Sequence, residues 1–332
     1  MYKRITLLLI SAVLIALPWL LPPYPMQLMV FVGVFAILTL SLNLIVGYVG
    51  MISLGHAGFF LVGAYTSALL TVDFGVSFWL TLPVAAILTA IFGLCVGFPA
   101  LKLSGHFLAV ITIAFGLIMH VLSVNLEWLT NGISGISNIP RPSFFSYVLR
   151  TDAEYYYLVL AVLALVVMVF YQLIESGVGR ALKAVREDET GAACMGINVN
   201  RVKVVSFVVS AAIAGIAGVL YAHYVRYLNP DSFTIDISIR VFIMMIIGGI
   251  GSISGSLIGA FAVYTLPEAL RFLNEYYYLV FGALVVAMML FLPGGLVSVS
   301  AAFQGKTIVH PRVLLWFSLK GGRKEDRHGR NT

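Results

Sequence analysis

Six histidines and two cysteines are the side chains best suited to catalysis or metal binding here, and their spacing argues against both. Cys95 falls in an apolar run and Cys194 in a polar loop, which suits neither a zinc site nor a disulfide framework. No Ser, His and acid fall near one another in a way that supports hydrolysis. His56 follows Ser53-Leu54-Gly55 at a break between apolar runs, where a hydrogen-bonded packing role and a role in a passage both fit. His223, just beyond Ala222, reads as interfacial. Gly305-Lys306-Thr307 looks like the end of a phosphate-binding loop, but Ser300 stands where that loop needs Gly. The 25 residues after Thr307 are too few for a nucleotide-binding domain. Gly249, Gly251 and Gly255 lack dinucleotide-binding spacing, whereas Gly251, Gly255 and Gly259 repeat every four residues, as close helix packing requires. No catalytic, cofactor-binding or metal-ligating residue is assigned.

The elements around these residues belong to a membrane. The chain is 61% hydrophobic and 10% charged, against about 25% charged in soluble domains. That composition excludes a soluble enzyme, a nucleic-acid binder and a disordered regulator. Of the cations, seven follow Pro293 together with two acids, so the basicity (+6 overall) is concentrated in a C-terminal tail.

A helix needs about 20 apolar residues to cross the hydrocarbon. Seven long runs qualify: 5–21, 26–46, 77–98, 107–126, 155–174, 204–222 and 276–292. The first reads as an uncleaved span, since Pro-Trp-Leu-Leu-Pro-Pro offers no signal cleavage site. Three shorter or Gly-broken stretches, 59–72, 237–250 and 253–273, suit broken or re-entrant helices. The expected fold is an all-α polytopic helical bundle of about ten membrane segments, divisible into two inverted five-helix halves. Its membrane domain spans residues 1–300 and a cytoplasmic basic tail spans 301–332. With a cytoplasmic N-terminus, fifteen Lys and Arg fall inside and five outside, the bias of the positive-inside rule. Both termini are therefore expected in the cytoplasm.

Two patterns stand out within this frame. The inside loop 175–200 is charged yet amphipathic, with Ala181, Leu182, Val185 and Met195 near helical spacing. It suits a helix on the membrane surface or one docking an apolar face into a partner's groove. The second pattern is a row of small and polar residues on one span: Gly105, Ala109, Thr112, Gly116, His120, Ser123 and Glu127. At 3.6 residues per turn they share one face, which borders either a packed neighbour or a water-filled path. Asn43, in a row with Gly33, Ala36, Leu40 and Gly47, is expected beside it. The tentative pathway set is Asn43, His56, Thr112, Gly116 and His120.

The segment GRALKAVREDETGAACMGINVNRVKVVSFVVSAAIAGIAGVLYA, 179–222, resembles the coupling region of membrane subunits in bacterial ABC importers for branched-chain amino acids. SLNLIVGYVGMISLGHAGFFLVGAY (41–65), LTNGISGI (129–136) and GGIGSISGSLIGA (248–260) are similar to the same family, in matching order. The chain departs from it at Asn131 where Gly is usual, at Ser176-Gly177 where Ser-Pro is common, and at Ser256 where Pro is common. The resemblance implies a permease that pairs with a second related permease subunit, docks two ATP-binding subunits and receives substrate from a periplasmic binding protein in the bacterial inner membrane. ATP and Mg would be bound by the partner ATPases and no cofactor by this chain. The implied coupling residues are Gly179, Arg180, Ala181, Leu182, Val185, Arg186, Glu187, Met195 and Gly196.

Relatives that move urea or short amides leave the substrate open. An ion-coupled secondary carrier is disfavoured, because the carboxylates Asp73, Glu127, Asp236, Glu268 and Glu275 fall at span ends or in loops. An intramembrane enzyme lacks a catalytic constellation.

Overall fold

The computed structural model describes residues 13–19, 21–101, 106–144, 147–270, 276–292 and 294–298. The expected tail 301–332, the Gly305-Lys306-Thr307 segment and Gly105 lie outside them. Residues 13–19 are helical. Then follow α1 (Pro23–Asn43), continued by a π-helical segment (Leu44–Val49), α2 (His56–Val72), α3 (Phe78–Ala100) and α4 (His106–Asn125). A connection carrying α5 (Glu127–Thr130) and a two-stranded hairpin, β1 (Ser143–Phe144) and β2 (Tyr147–Val148), leads to α6 (Asp152–Glu175). After it come α7 (Gly177–Glu187), α8 (Glu189–Cys194), α9 (Val199–Val225), α10 (Ile235–Gly248), α11 (Ile253–Ala269) and α12 (Tyr277–Phe291).

Among the described residues, five helices are long and apolar enough to cross a membrane by themselves: Pro23–Val49, Phe78–Pro99, Phe107–Asn125, Asp152–Glu175 and Val199–Val225. A sixth is obtained if Pro230–Gly248 and Ile253–Glu268, bent by 120° at their break, count as one span. The described residues thus show five or six full-length crossings plus shorter apolar helices such as α2, and do not confirm the expected ten; most of the expected first run, 5–21, lies outside them.

α1 and α9 form the centre. The span containing α1 is 83% buried and that of α9 61%, whereas those of α4 and α6 are each 22% buried. Sequence explains α9: Ser206, Ser210, Ala211, Ala214, Gly215, Ala217 and Gly218 leave little side chain between it and its neighbours. A Cβ on Gly215 would collide with Thr89 of α3, and one on Gly63 of α2 with the Gly215 backbone. Apolar surface gives no net drive for association in lipid, so such close approach is what holds the bundle. Gly255 and Gly259 pack the same way against Gly248 and Met244; Gly251 instead belongs to the turn between α10 and α11.

The helix ends define two faces. One collects the end of α1, the 175–198 loop and the α10–α11 turn. The other collects 73–77, 126–151 and 226–234. There Ile136 and Leu228 form an antiparallel bridge with N–H···O distances of 3.0 and 2.9 Å. Trp79 Nε1 donates to Ser143 O at 2.8 Å. Asn131, the departure from Gly, has φ 58°, a left-handed conformation that Asn tolerates better than most side chains. His223, expected at the interface, is fully buried by protein on this face. Its ring bridges Pro140 O (2.7 Å) and Ser67 Oγ (2.8 Å), because α9 extends past Ala222 beneath the 126–151 connection.

Candidate functional site

The loop 175–198 folds as two short helices because the sequence supplies a cap for each. Ser176 Oγ accepts from Gly179 N at 3.5 Å to open α7, and Asp188 Oδ1 accepts from Thr190 N at 2.9 Å to open α8. Gly177, a second departure from the family pattern, occupies the first position of α7, where Pro is also favoured. Asn198 Oδ1 then caps α9 through Arg201 N at 3.0 Å. Lys203 Nζ pairs with Glu189 at 2.7 Å and ties α8 back to α9.

The amphipathic pattern is present, but its apolar face points inward. Leu182 and Val185 are each 2% exposed and Gly179 is buried, with α7 lying on the π-helical end of α1, the end of α6 and the start of α9. The assignment of Gly179, Leu182 and Val185 to a partner-docking face is therefore corrected: they anchor α7 to this chain's own bundle. Burying a Leu or Val side chain is worth about 1.5–3 kcal/mol, enough to fix a short helix. The outer side carries a groove of about 510 Å³ between α7 and α8, lined by Arg180, Ala181, Ala184, Glu187, Met195 and Ile197 among others. Met195 is 84% exposed. Gly196, with φ 80°, turns the chain out of α8.

Arg186 is directed the other way. Its guanidinium donates to Gly47 O in the π-helical segment, and its Nη1 is the nearest atom to a Cβ built on Gly251. Asn43, one turn before Gly47, closes the same corner. Its Oδ1 accepts from Gly251 N at 2.8 Å, and its Nδ2 donates to Ser252 O at 2.9 Å and Ser256 Oγ at 2.7 Å. Asn43 thus faces the α10–α11 turn, not the α4 stripe. The hydroxyl of Ser256, standing where Pro is common, is one of its acceptors.

The second constellation lies deeper. Residues 50–55 are non-helical, and α2 begins inside the bundle. His56 Nε2 meets Ser210 Oγ at 2.9 Å, about 16 Å along α9 from its start at a rise of ~1.5 Å per residue. Ser210 Oγ donates its proton to Ser41 O at 2.6 Å, so Nε2 must carry the proton that Ser210 accepts. Nδ1 is left as a buried acceptor without a partner among the described residues, as is Ser53 Oγ. Thr112 Oγ1 accepts from Leu54 N at 3.0 Å and Ser238 Oγ from Ala57 N at 2.9 Å.

The α4 stripe faces protein, with Thr112 fully buried and Ser123 3% exposed, while Phe107, Val110, Ile118 and Val121 on the other faces are exposed. Gly116 and His120 border a cavity of about 320 Å³ that Leu54, Ala57 and Phe233 also line. Thr112 stands behind that cavity and Ile113 lines it, the reverse of the order expected from the stripe. The site thus places two of the five pathway candidates, Gly116 and His120, on one cavity and keeps Asn43, His56 and Thr112 in the packed interior. Ile113, Phe233 and Asp236 were not assigned to a passage from sequence, because apolar residues and a helix-start carboxylate carry no distinguishing pattern.

A bundle of apolar helices, several of them long enough to cross the hydrocarbon, marks an integral membrane protein. Residues 24–289 match the family described as branched-chain amino acid transport system / permease component, and the chain belongs to that family. It is 34% identical over 317 residues to the high-affinity branched-chain amino acid transport system permease protein LivM of Escherichia coli (strain K12), covering 89% of this chain and 75% of that protein. It is 28% identical over 290 residues to LivH of the same organism, covering 79% and 90%. The probable LivM of Methanocaldococcus jannaschii is 26% identical over 326 residues, covering 82% and 92%. No solved structure matches the chain.

Proposed function

We propose that this chain is a transmembrane permease subunit of an ATP-driven ABC importer, moving branched-chain amino acids across the bacterial inner membrane by alternating access. A second related permease completes the passage, a periplasmic binding protein delivers the substrate, and two partner subunits bind ATP and Mg and hydrolyse ATP. This chain contributes a path and a docking surface and performs no chemistry of its own.

The observation that carries this reading is the two-sided α7. Its outer side offers an open groove with the exposed Met195, while Leu182, Val185 and Arg186 fasten its inner side to α1, beside Gly251. A partner pressing on the groove therefore displaces the end of α1 and the α10–α11 turn together. The Arg and Lys residues around α7 and α9 (Arg180, Lys183, Arg186, Arg201 and Lys203) support a cytoplasmic docking face. The packing also favours two inverted halves: α9 contacts α2 and α3 as α1 contacts α10 and α11.

The test is co-purification of the assembled importer. Met195→Asp puts a charge into the groove, and removing an anchor from such an interface commonly costs more than about 1 kcal/mol, roughly a five-fold loss of ATPase retention. Leu182→Ala leaves the groove's lining intact and loosens the chain's own core instead. Met195→Asp permease that reaches the membrane, keeps its ATPases and takes up leucine at the parent rate would contradict the docking assignment.

A further inference from the structure

The cavity of about 320 Å³ between α4 and the start of α10 has walls of two kinds. Leu54, Ile113, Leu117 and Phe233 make it apolar, and His120 and Asp236 stand at one rim. Its volume lies at the lower end of the ~300–1,000 Å³ common for small-molecule sites. The rim belongs to the end opposite the docking loop: His120 lies near the end of α4, and Asp236 in the first turn of α10. The other side reaches Leu54 and Ala57, where α2 begins inside the bundle.

The available polar groups select one kind of charge. His120 Nδ1 donates to Pro230 O at 3.2 Å, which leaves Nε2 as an acceptor. Asp236 accepts only the hydroxyl of Thr234, at 3.4 Å, and makes no ion pair among the described residues. An acid in a first helical turn is ordinary, since it complements the helix dipole. A carboxylate and a bare imidazole nitrogen at the rim of an apolar cavity additionally form a receptor for an ammonium group. A carboxylate guest finds only the first N–H groups of α10, at Ile235 and Asp236, which no side chain caps. No Lys or Arg lines the cavity, and the N–H groups of Leu54, Ala57 and Gly58 are already bound by Thr112, Ser238 and Gly55.

We propose that this cavity is the chain's half-site for an aliphatic amino acid in transit, with Asp236 and His120 Nε2 receiving the α-ammonium and Ile113, Leu117 and Phe233 the hydrocarbon side chain. The inference rests on the importer reading and assigns that reading its contact residues.

The experiment uses the complete importer in proteoliposomes, with leucine and valine as probes. ATP-dependent leucine uptake by the parent is measured first; uptake that needs no ATP overturns the importer reading itself. Asp236→Asn, which removes the charge at nearly constant shape, should lower leucine uptake at least ten-fold while the complex still assembles, and Asp236→Glu should recover part of it. Ile113→Phe narrows the apolar wall and should lower the leucine-to-valine rate ratio at least three-fold. The same binding protein delivers both probes, so a changed ratio belongs to the permease. Leucine uptake by Asp236→Asn within two-fold of the parent, or an unchanged ratio in Ile113→Phe, overturns the half-site. If the Asp236→Asn complex does not assemble, the Ile113→Phe ratio decides alone.

Discussion

The turn between α2 and α3 and the turn between α10 and α11 occupy equivalent places if the bundle is read as two inverted halves, and they are built for different work. In the first, Phe74 is 75% exposed and a Cβ on Gly75 would meet nothing within 4 Å. Among the described residues its backbone bonds run to the two helices it joins, from Asp73 N to Leu69 O and Val76 N to Leu70 O in α2, and from Leu80 N and Thr81 N of α3 to Ser77 O. The second is enclosed. Asn43 bonds it at Gly251 N and Ser252 O and bonds Ser256 of α11 beside it, Arg186 lies against Gly251, and Gly295 packs on Gly249. A connection needs only to reverse the chain. A turn held by one residue of the central helix and one of the 175–198 loop can also carry displacement between them, because closely packed elements shift between discrete arrangements and do not deform continuously.

Substitutions separate the two turns, and Gly251→Val should have the largest effect. Gly251 has φ 79°, and a Cβ there would stand 2.8 Å from Arg186 Nη1 and 3.1 Å from Gly47 O. Left-handed strain of roughly 1–2 kcal/mol then adds to displacement of the arginine. Leucine uptake should be abolished at membrane levels of permease that immunoblotting finds reduced.

Asn43→Ala should have an intermediate effect. It strands Gly251 N and Ser252 O in a part-buried corner, at about 1–3 kcal/mol for an unsatisfied buried group. Thermal unfolding in detergent should come several degrees earlier, and uptake should fall by more than the loss of folded protein explains. Loss in proportion to folded protein would reduce Asn43 to a packing residue.

Gly75→Ala should matter least. With φ 64° and open space around it, it incurs the left-handed penalty alone, so uptake should stay within about two-fold of the parent. A Gly75→Ala defect as deep as that of Gly251→Val would erase the distinction between the turns.

How much of this could be read beforehand follows from the range of each interaction. Local spacing revealed the apolar runs, the inward stripe on α4 and the amphipathic loop, since helical periodicity is written within a few residues. It could not say what covers an apolar face. Leu182 and Val185 look alike whether a partner or the chain's own α1 and α9 cover them, and the structure shows the latter. Asn43 meets Gly251 across 208 residues of sequence, and His223 is buried by a connection whose course no local pattern describes. The start of α2 at depth was legible only as a break, because its stabilisers Thr112, Ser210 and Ser238 come from three other helices.

The account depends most on Arg186 joining the docking loop to the membrane helices. Arg186→Gln keeps a donor near Gly47 but shortens its reach and removes the charge, and leaves Leu182, Val185 and the groove in place. Leucine uptake and ATP hydrolysis should be measured together on proteoliposomes of the complete importer supplied with loaded binding protein. The expected result is that hydrolysis continues while leucine moved per ATP falls at least ten-fold. An unchanged ratio of leucine moved to ATP hydrolysed would contradict the claim that this arginine links the docked ATPases to the moving helices.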